Sequence, residues 1–134
     1  MTRVPNWPEL LAEYVESRRT RPFEWGSNDC ALFLADWIVT ATGVDHAKRW
    51  RRYKTASGAA AIVKRNGGMR RLALNAGLAE KAVGMAQRGD GVLAVLEGRE
   101  TFGVVAGNAM WCGPGEDSLL FRPISDDVIA AFEV

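Results

Sequence analysis

A cysteine at the predicted start of a helix is the residue of this sequence best placed for chemistry. Cys30 follows Asn28 and Asp29, two residue types that cap helix N-termini, and an apolar run begins directly after it. In a first helical turn, free N–H groups and the helix dipole favour the thiolate, the nucleophilic form of cysteine. The turn-rich loop ending in Trp25-Gly26 favours this interpretation. The alternative is an inert core cysteine, the commoner use of this residue in an apolar helix.

The helix that positions Cys30 is predicted to run from about Cys30 to Thr42 and to stop at Gly43. It is apolar on almost every side, which is typical of a central, buried helix. An amphipathic helix precedes it, with Asn6 as the N-cap, a capping box with Glu9, and an end before Pro22.

The rest of the chain changes from helical periodicity to short strands near Gly84, which predicts an α+β fold. Further helices are predicted over Gly58–Lys64 and Met69–Asn75, with a helical turn between Gly77 and Gln87. The predicted strands form an antiparallel meander of Val92–Leu96, Thr101–Ala106, Ala109–Cys112 and Ser118–Phe121. The tail, residues 125–132, predicts a capped helical turn with room for a last strand at its end.

Composition predicts one domain over residues 1–134, because 48% of the residues are hydrophobic and 25% are charged. Seventeen basic and sixteen acidic residues give a net charge of +1, which argues against nucleic acid as a partner. Two cysteines are too few for a disulfide scaffold or a cysteine-based zinc site, so we expect no metal and no cofactor. No signal peptide or membrane span is evident, and synthesis in a reducing cytoplasm is expected.

A basic segment from Lys48 to Lys54 follows the cysteine helix and contains two aromatic residues, Trp50 and Tyr53. A nucleic-acid patch is one interpretation, and a contact with a partner protein is another. We favour a solvated surface with both aromatic side chains tucked beneath it, because acidic residues elsewhere balance the charge.

Three motifs together resemble the NlpC-type cell-wall cysteine peptidases, a papain-like superfamily, and especially its small phage- and prophage-encoded members. Residues 28–33 (Asn-Asp-Cys-Ala-Leu-Phe) stand where that family has Asp-Cys-Ser-Gly-Phe. Residues 89–94 (Gly-Asp-Gly-Val-Leu-Ala) stand where it has Gly-Asp-Leu-Val-Phe-Phe. Residues 101–108 (Thr-Phe-Gly-Val-Val-Ala-Gly-Asn) stand where it has His-Val-Gly-Ile-Tyr-Leu-Gly-Asn. The resemblance implies a papain-like fold in which N-terminal helices, including the buried cysteine helix, pack on a C-terminal antiparallel meander.

The resemblance also implies a catalytic set, and this sequence departs from it. Cys30 keeps the place of the nucleophile, but Thr101 stands where the family has its histidine base, and threonine cannot deprotonate a thiol near neutral pH. Cys112 falls at or beside the third position, which normally orients the base. The implied cleft residues are Trp25, Asp29 and Trp111. The layout also brings Cys30 near Cys112, so these cysteines are candidates for pairing in an oxidising environment.

His46 is the single histidine of the sequence, and it is not expected to replace the missing base. It follows the cysteine helix, whereas Cys30 begins it, and a helix of this length spans roughly 20 Å. We therefore predict a surface or loop histidine.

Three functions follow, in this order. The first is a structural protein of a phage or prophage tail tip or baseplate, with a degenerate catalytic site, that docks other tail proteins and is assembled into a virion. The second is an active cysteine peptidase or amidase that cleaves peptidoglycan stem peptides. The third is a module that binds peptidoglycan peptides. The adaptor hypothesis predicts exposed apolar surface, with four tryptophans as candidates: Trp7, Trp25, Trp50 and Trp111.

Overall fold

The computed structural model describes residues 2–134 and shows four helices followed by a six-stranded antiparallel sheet, as the α+β prediction requires. No helix in this range is long and apolar enough to cross a membrane. The helices are α1 (Trp7–Arg18), α2 (Cys30–Thr42), α3 (Ala56–Arg65) and α4 (Met69–Asn75). The strands are β1 (Ala79–Lys81), β2 (Gly91–Leu96), β3 (Arg99–Gly107), β4 (Met110–Pro114), β5 (Leu119–Pro123) and β6 (Val128–Glu133).

The sheet has the order β1-β6-β2-β3-β4-β5. Strands β2 to β5 form the predicted meander, in which each strand pairs with the next. The last strand, β6, returns to lie between β1 and β2. The edges of the sheet are therefore β1 and β5.

The main core lies between α2 and one face of the sheet. Phe33, Trp37 and Ile38 of α2 are almost completely buried there, together with Phe102 and Val104 of β3. Alternate residues of each strand point to the opposite face. That face carries a smaller apolar cluster, which includes Val92, Ala94, Val105, Trp111 and Val128.

The predicted bounds of α2 and α4 are confirmed, and Gly43 ends α2 with a left-handed backbone (φ 79°). Helix α3 begins two residues earlier than predicted because the Thr55 side chain accepts a hydrogen bond from the Gly58 amide. The prediction of a side-chain cap at Asn6 is wrong. Asn6 precedes α1, but its side chain makes no capping hydrogen bond.

Two other local predictions change in the structure. The segment between Gly77 and Gln87 contains β1 as well as a single 3₁₀ turn, Val83–Met85. The tail forms the predicted last strand, β6, which follows a single hydrogen-bonded turn at residues 125–128 instead of a helix. Its backbone groups pair with strands on both sides, and Ala130 and Phe132 are buried against the main core. These tertiary contacts outweigh the local capping signal.

Candidate functional site

Asp29 positions Cys30 by capping α2 with a carboxylate that is almost completely buried. One carboxylate oxygen accepts a hydrogen bond from the Leu32 amide at 3.0 Å. The other accepts from the Gly26 amide at 2.9 Å and from the Tyr53 hydroxyl at 2.5 Å. Both oxygens of the Asp29 carboxylate therefore have hydrogen-bond donors, which come from the loop before α2, from α2 itself and from the segment after α2. Its place in the structure is that of a positioning residue.

Asn28 holds the preceding loop against α1. Its amide oxygen accepts a hydrogen bond from the Arg18 guanidinium at 3.0 Å, and its amide nitrogen donates to the Pro22 carbonyl at 2.9 Å. The same guanidinium forms an ion pair with Asp36 of α2 at 2.9 Å. Asn28 is 1% exposed. Its residue type suggested a helix cap, but its observed partners come from α1 and the loop.

The Cys30 thiol is protonated near neutral pH. Burial raises the pKa of Cys30, and hydrogen bonds from the Phe102 backbone and the Thr101 side chain only partly oppose this effect. The neighbouring Asp29 carboxylate raises the pKa further. The backbone of Ala31, at the helix start, lowers the pKa as predicted, but burial has the larger effect, so the surroundings as a whole do not favour the thiolate.

Thr101 lies beside Cys30, at the position where the motif resemblance implies a base. It sits on β3 opposite Ala94 of β2, and its side chain interacts with the thiol. His46 lies elsewhere: its Nδ1 atom is 2.6 Å from the Ala76 carbonyl oxygen, and its ring lines an apolar cavity that does not include Cys30. His46 is thus a loop histidine, as predicted. The Cys30–Thr101 pair has no imidazole beside it.

Cys112 is buried in the main core and forms no hydrogen bond with Cys30 or Thr101. It lies opposite Val104, three residues along β3 from Thr101. Burial alone raises the pKa of its thiol to about 12. Both cysteines are free thiols in the structure. The arrangement leaves Cys112 as a packing residue rather than one that orients a base.

Trp111 is not a cleft residue, which corrects the sequence-based prediction. Adjacent residues of a strand point to opposite faces, so Trp111 and Cys112 cannot both face the cysteine helix. Trp111 is 1% exposed and packs with Val92 in the cluster on the far face of the sheet. It is also unavailable as the exposed aromatic residue of the adaptor hypothesis.

A cleft of about 330 Å³ opens beside Cys30, between the start of α2 and the face of α3. Trp25, 42% exposed, stands at this cleft with Asp29, so two of the three predicted cleft residues are there. Sequence reasoning missed the wall opposite them, although the alanine run of α3 was a visible signal of a close approach. That wall and the cleft ends include Tyr53, Ala56, Ala59, Ala60, Val63, Lys64, Met69 and Glu100.

The arrangement suits binding of a small ligand better than bond cleavage. Most of the lining is apolar and includes four alanines. Besides the buried Asp29, two exposed charged residues of opposite sign, Lys64 and Glu100, also line the cleft. Pockets for small ligands begin at about 300 Å³ and typically combine apolar walls with a few polar groups. Among residues 2–134, no group of three or more His, Cys, Asp or Glu side chains is arranged to hold a metal ion.

The sequence matches the family described as "Domain of unknown function (DUF6950)" over residues 2–134. The chain belongs to this family. No curated protein matches it. Among solved structures it is similar to RipD from Mycobacterium tuberculosis, described as a non-catalytic NlpC/p60 domain protein with an adaptation to peptidoglycan-binding function. The two chains share 16% identity with a TM-score of 0.52, over 98% of this DUF6950 chain and 99% of RipD.

This similarity supports an NlpC/p60-like fold for the DUF6950 chain, in agreement with the resemblance of its motifs. The motifs of the sequence disfavour catalysis, and the description of RipD as non-catalytic agrees with that expectation. At this identity the likeness concerns the fold, so the function of the present chain is argued from its own site.

Proposed function

We propose that this protein is a non-catalytic NlpC/p60-like module that binds a peptidoglycan stem peptide in the cleft beside Cys30. The observation that carries the proposal is the pairing of an open cleft of about 330 Å³ with a thiol whose neighbour is Thr101 instead of a base. Amide cleavage needs a group that activates the thiol and then protonates the leaving amine. Binding needs only the cleft. The peptidoglycan-binding adaptation described for RipD supports the same assignment.

The lining of the cleft fits the chemistry of stem peptides. These are short peptides rich in alanine, with free carboxylates and, in many bacteria, a free amine. The alanine-lined wall of α3 accepts small side chains closely, while Lys64 and Glu100 offer a cation and an anion at the same site. A ligand that carries both charges satisfies both side chains when they lose water.

The binding test uses two neighbouring alanines of α3, both exposed. Ala60 lines the cleft, whereas Ala61 does not. Purified protein is titrated with soluble muropeptides in a calorimeter. We expect Ala60→Trp to weaken binding at least about tenfold by filling the cleft, and Ala61→Trp to bind like wild type. Equal binding by both variants, or no binding by wild type, contradicts the proposal.

The active-peptidase alternative is tested on intact walls. Peptidoglycan from several bacteria is incubated with wild type and with Cys30→Ala, and released muropeptides are measured beside an active hydrolase. The binding proposal predicts no release by either protein. Release by wild type that disappears in Cys30→Ala would establish an enzyme and overturn the non-catalytic assignment.

We further propose, as a second role compatible with the first, that the protein is assembled into a phage or prophage tail near the tip. The motif resemblance suggests this location, and exposed apolar side chains on edge strand β5, Leu120 and Phe121, offer a contact for tail proteins. Particles induced from the encoding strain should contain the protein by immunoblot. Its absence from intact purified particles would contradict the tail role without touching the binding proposal.

A further inference from the structure

The charges of this chain are divided unequally along the sequence. Residues 46–79 contain nine Lys or Arg residues and no Asp or Glu. The remainder contains eight Lys or Arg and all sixteen acidic residues. The segment therefore carries a charge of +9 and the remainder a charge of −8, which sum to the net charge of +1. A near-neutral total therefore conceals a strongly basic segment.

The fold gathers this segment on one side of α2. The loop after α2, helix α3 and helix α4 share the lining of one apolar cavity, in which Ala47, Ile62 and Leu72 meet Ala31 and Leu32 of α2. We call residues 46–79 the basic lobe. The lysines and arginines of the basic lobe therefore lie on neighbouring elements of the fold.

Only two cations of the basic lobe have acidic partners. Arg51 pairs with Asp36 and Asp45, each at 2.8 Å, and Arg70 pairs with Glu80. The other seven are exposed and form no salt bridge within residues 2–134. They are Lys48, Arg49, Arg52, Lys54, Lys64, Arg65 and Arg71.

The aromatic residues of the basic lobe are occupied with packing. The Tyr53 hydroxyl donates a hydrogen bond to the Asp29 carboxylate, and Trp50 is half-buried where it lines the cavities under the lobe. Binding of single-stranded nucleic acid relies on exposed aromatic faces on which bases stack. The lobe instead offers many cations with little stacking surface, a composition that suits a charged polymer without bases.

We propose that the basic lobe binds a phosphodiester-linked polyol chain of the bacterial cell wall, next to the stem-peptide cleft. This inference rests on the proposed function, which places the protein at the wall. Lys64 belongs to both the lobe and the cleft lining, so the two ligands would meet there. Each phosphate that a Lys or Arg neutralises releases counterions, which makes such binding strongly dependent on salt.

The test measures fluorescence anisotropy of labelled poly(glycerol phosphate) with the full chain between about 0.05 and 0.3 M salt. The lobe variant carries Lys48→Gln, Arg49→Gln and Arg52→Gln. The matched control carries Arg21→Gln, Arg99→Gln and Arg122→Gln, which removes the same charge outside the lobe. We expect the lobe variant to lose about 2 to 3 from the slope of log affinity against log salt and at least about tenfold in affinity near 0.15 M. The control should retain the lobe-dependent slope.

Equal loss of affinity in both triple variants would overturn the inference, and so would tighter binding of a DNA duplex than of the polyol phosphate at the same salt. Thermal unfolding checks that both variants are folded. Muropeptide titrations of the lobe variant separate this inference from the proposed function. Retained peptide binding with lost polymer binding supports two adjacent sites, whereas polymer binding that survives in the lobe variant disproves the basic-lobe site even if the peptide still binds.

Discussion

At Cys30, two physical effects oppose each other. The start of α2 stabilises negative charge, whereas burial destabilises the thiolate, and burial has the larger influence on the pKa. Thr101 cannot change this balance as a histidine would, since its hydroxyl offers a hydrogen bond but does not accept a proton near neutral pH. The result is a thiol with a raised pKa and no neighbouring base, next to an open cleft.

Alkylation of Cys30 by iodoacetamide tests this balance. The thiolate is the reactive form, so a raised pKa predicts slow alkylation at neutral pH. When the alkylation rate is measured against pH, its midpoint should lie above that of a free cysteine, about 8.5. Thr101→Val removes the hydroxyl that favours the thiolate and should move the midpoint to still higher pH. Thr101→Ser keeps the hydroxyl and should resemble wild type.

Peptide mass spectrometry distinguishes Cys30 from the buried Cys112 in that experiment. A wild-type midpoint below that of free cysteine would show that the helix start outweighs burial. Identical profiles for the Val and Ser variants would mean that the Thr101 hydroxyl does not act on the thiol.

At the scale of elements, the start of α2 depends on one buried carboxylate with donors from three segments. The predicted capping function of Asp29 is confirmed by its hydrogen bond with Leu32. Its hydrogen bond with Gly26 closes a turn three residues back in the chain. Its hydrogen bond with Tyr53 joins residues that are 24 positions apart in the sequence. Local capping chemistry was therefore readable from sequence, but the link to Tyr53 was not, because no periodic pattern specifies which loop folds over a helix start.

Asp29→Ala should cost more stability than removal of an ordinary cap. It leaves the Leu32 and Gly26 amides and the Tyr53 hydroxyl without their acceptor, so we expect a loss of about 3 kcal/mol in the free energy of unfolding. The exposed cap of α3 provides the comparison: Thr55→Ala should cost about 1 kcal/mol. Urea denaturation measures both. Equal losses would mean that the tertiary donors of Asp29 contribute nothing.

At the scale of the whole molecule, Asp90 joins the two ends of the described chain. Its carboxylate, 1% exposed, accepts hydrogen bonds from Arg3 at 3.0 Å, Lys81 at 2.8 Å and the Val134 amide at 3.2 Å. The Gln87 amide donates as well, at 2.8 Å. The network connects the segment before α1 and the residue after β6 to the start of β2.

Asp90→Ala should destabilise the protein by about 3 kcal/mol or more, because it leaves two largely buried cations without their shared anion. Asp126→Ala, an exposed change in the β5–β6 connection, should stay within about 0.5 kcal/mol of wild type. Hydrogen exchange of β1 and β6 should accelerate in the Asp90 variant first. A change no larger than that of the Asp126 variant would show that the ends are held by packing alone.

The sequence by itself determined the features that arise from local interactions. These are the cap and apolar periodicity of α2, the bounds of α4, and the meander with its glycine turns. Such signals depend on neighbours a few residues apart, so one sequence suffices to read them.

The tertiary structure alone decided what depends on contacts between distant segments. It placed Trp111 on the far face of the sheet, inserted β6 between β1 and β2, and folded α3 over the start of α2 to form the cleft. It also determined that burial raises the pKa of the Cys30 thiol. Desolvation and cleft shape are properties of the assembled surroundings, and no local pattern encodes them.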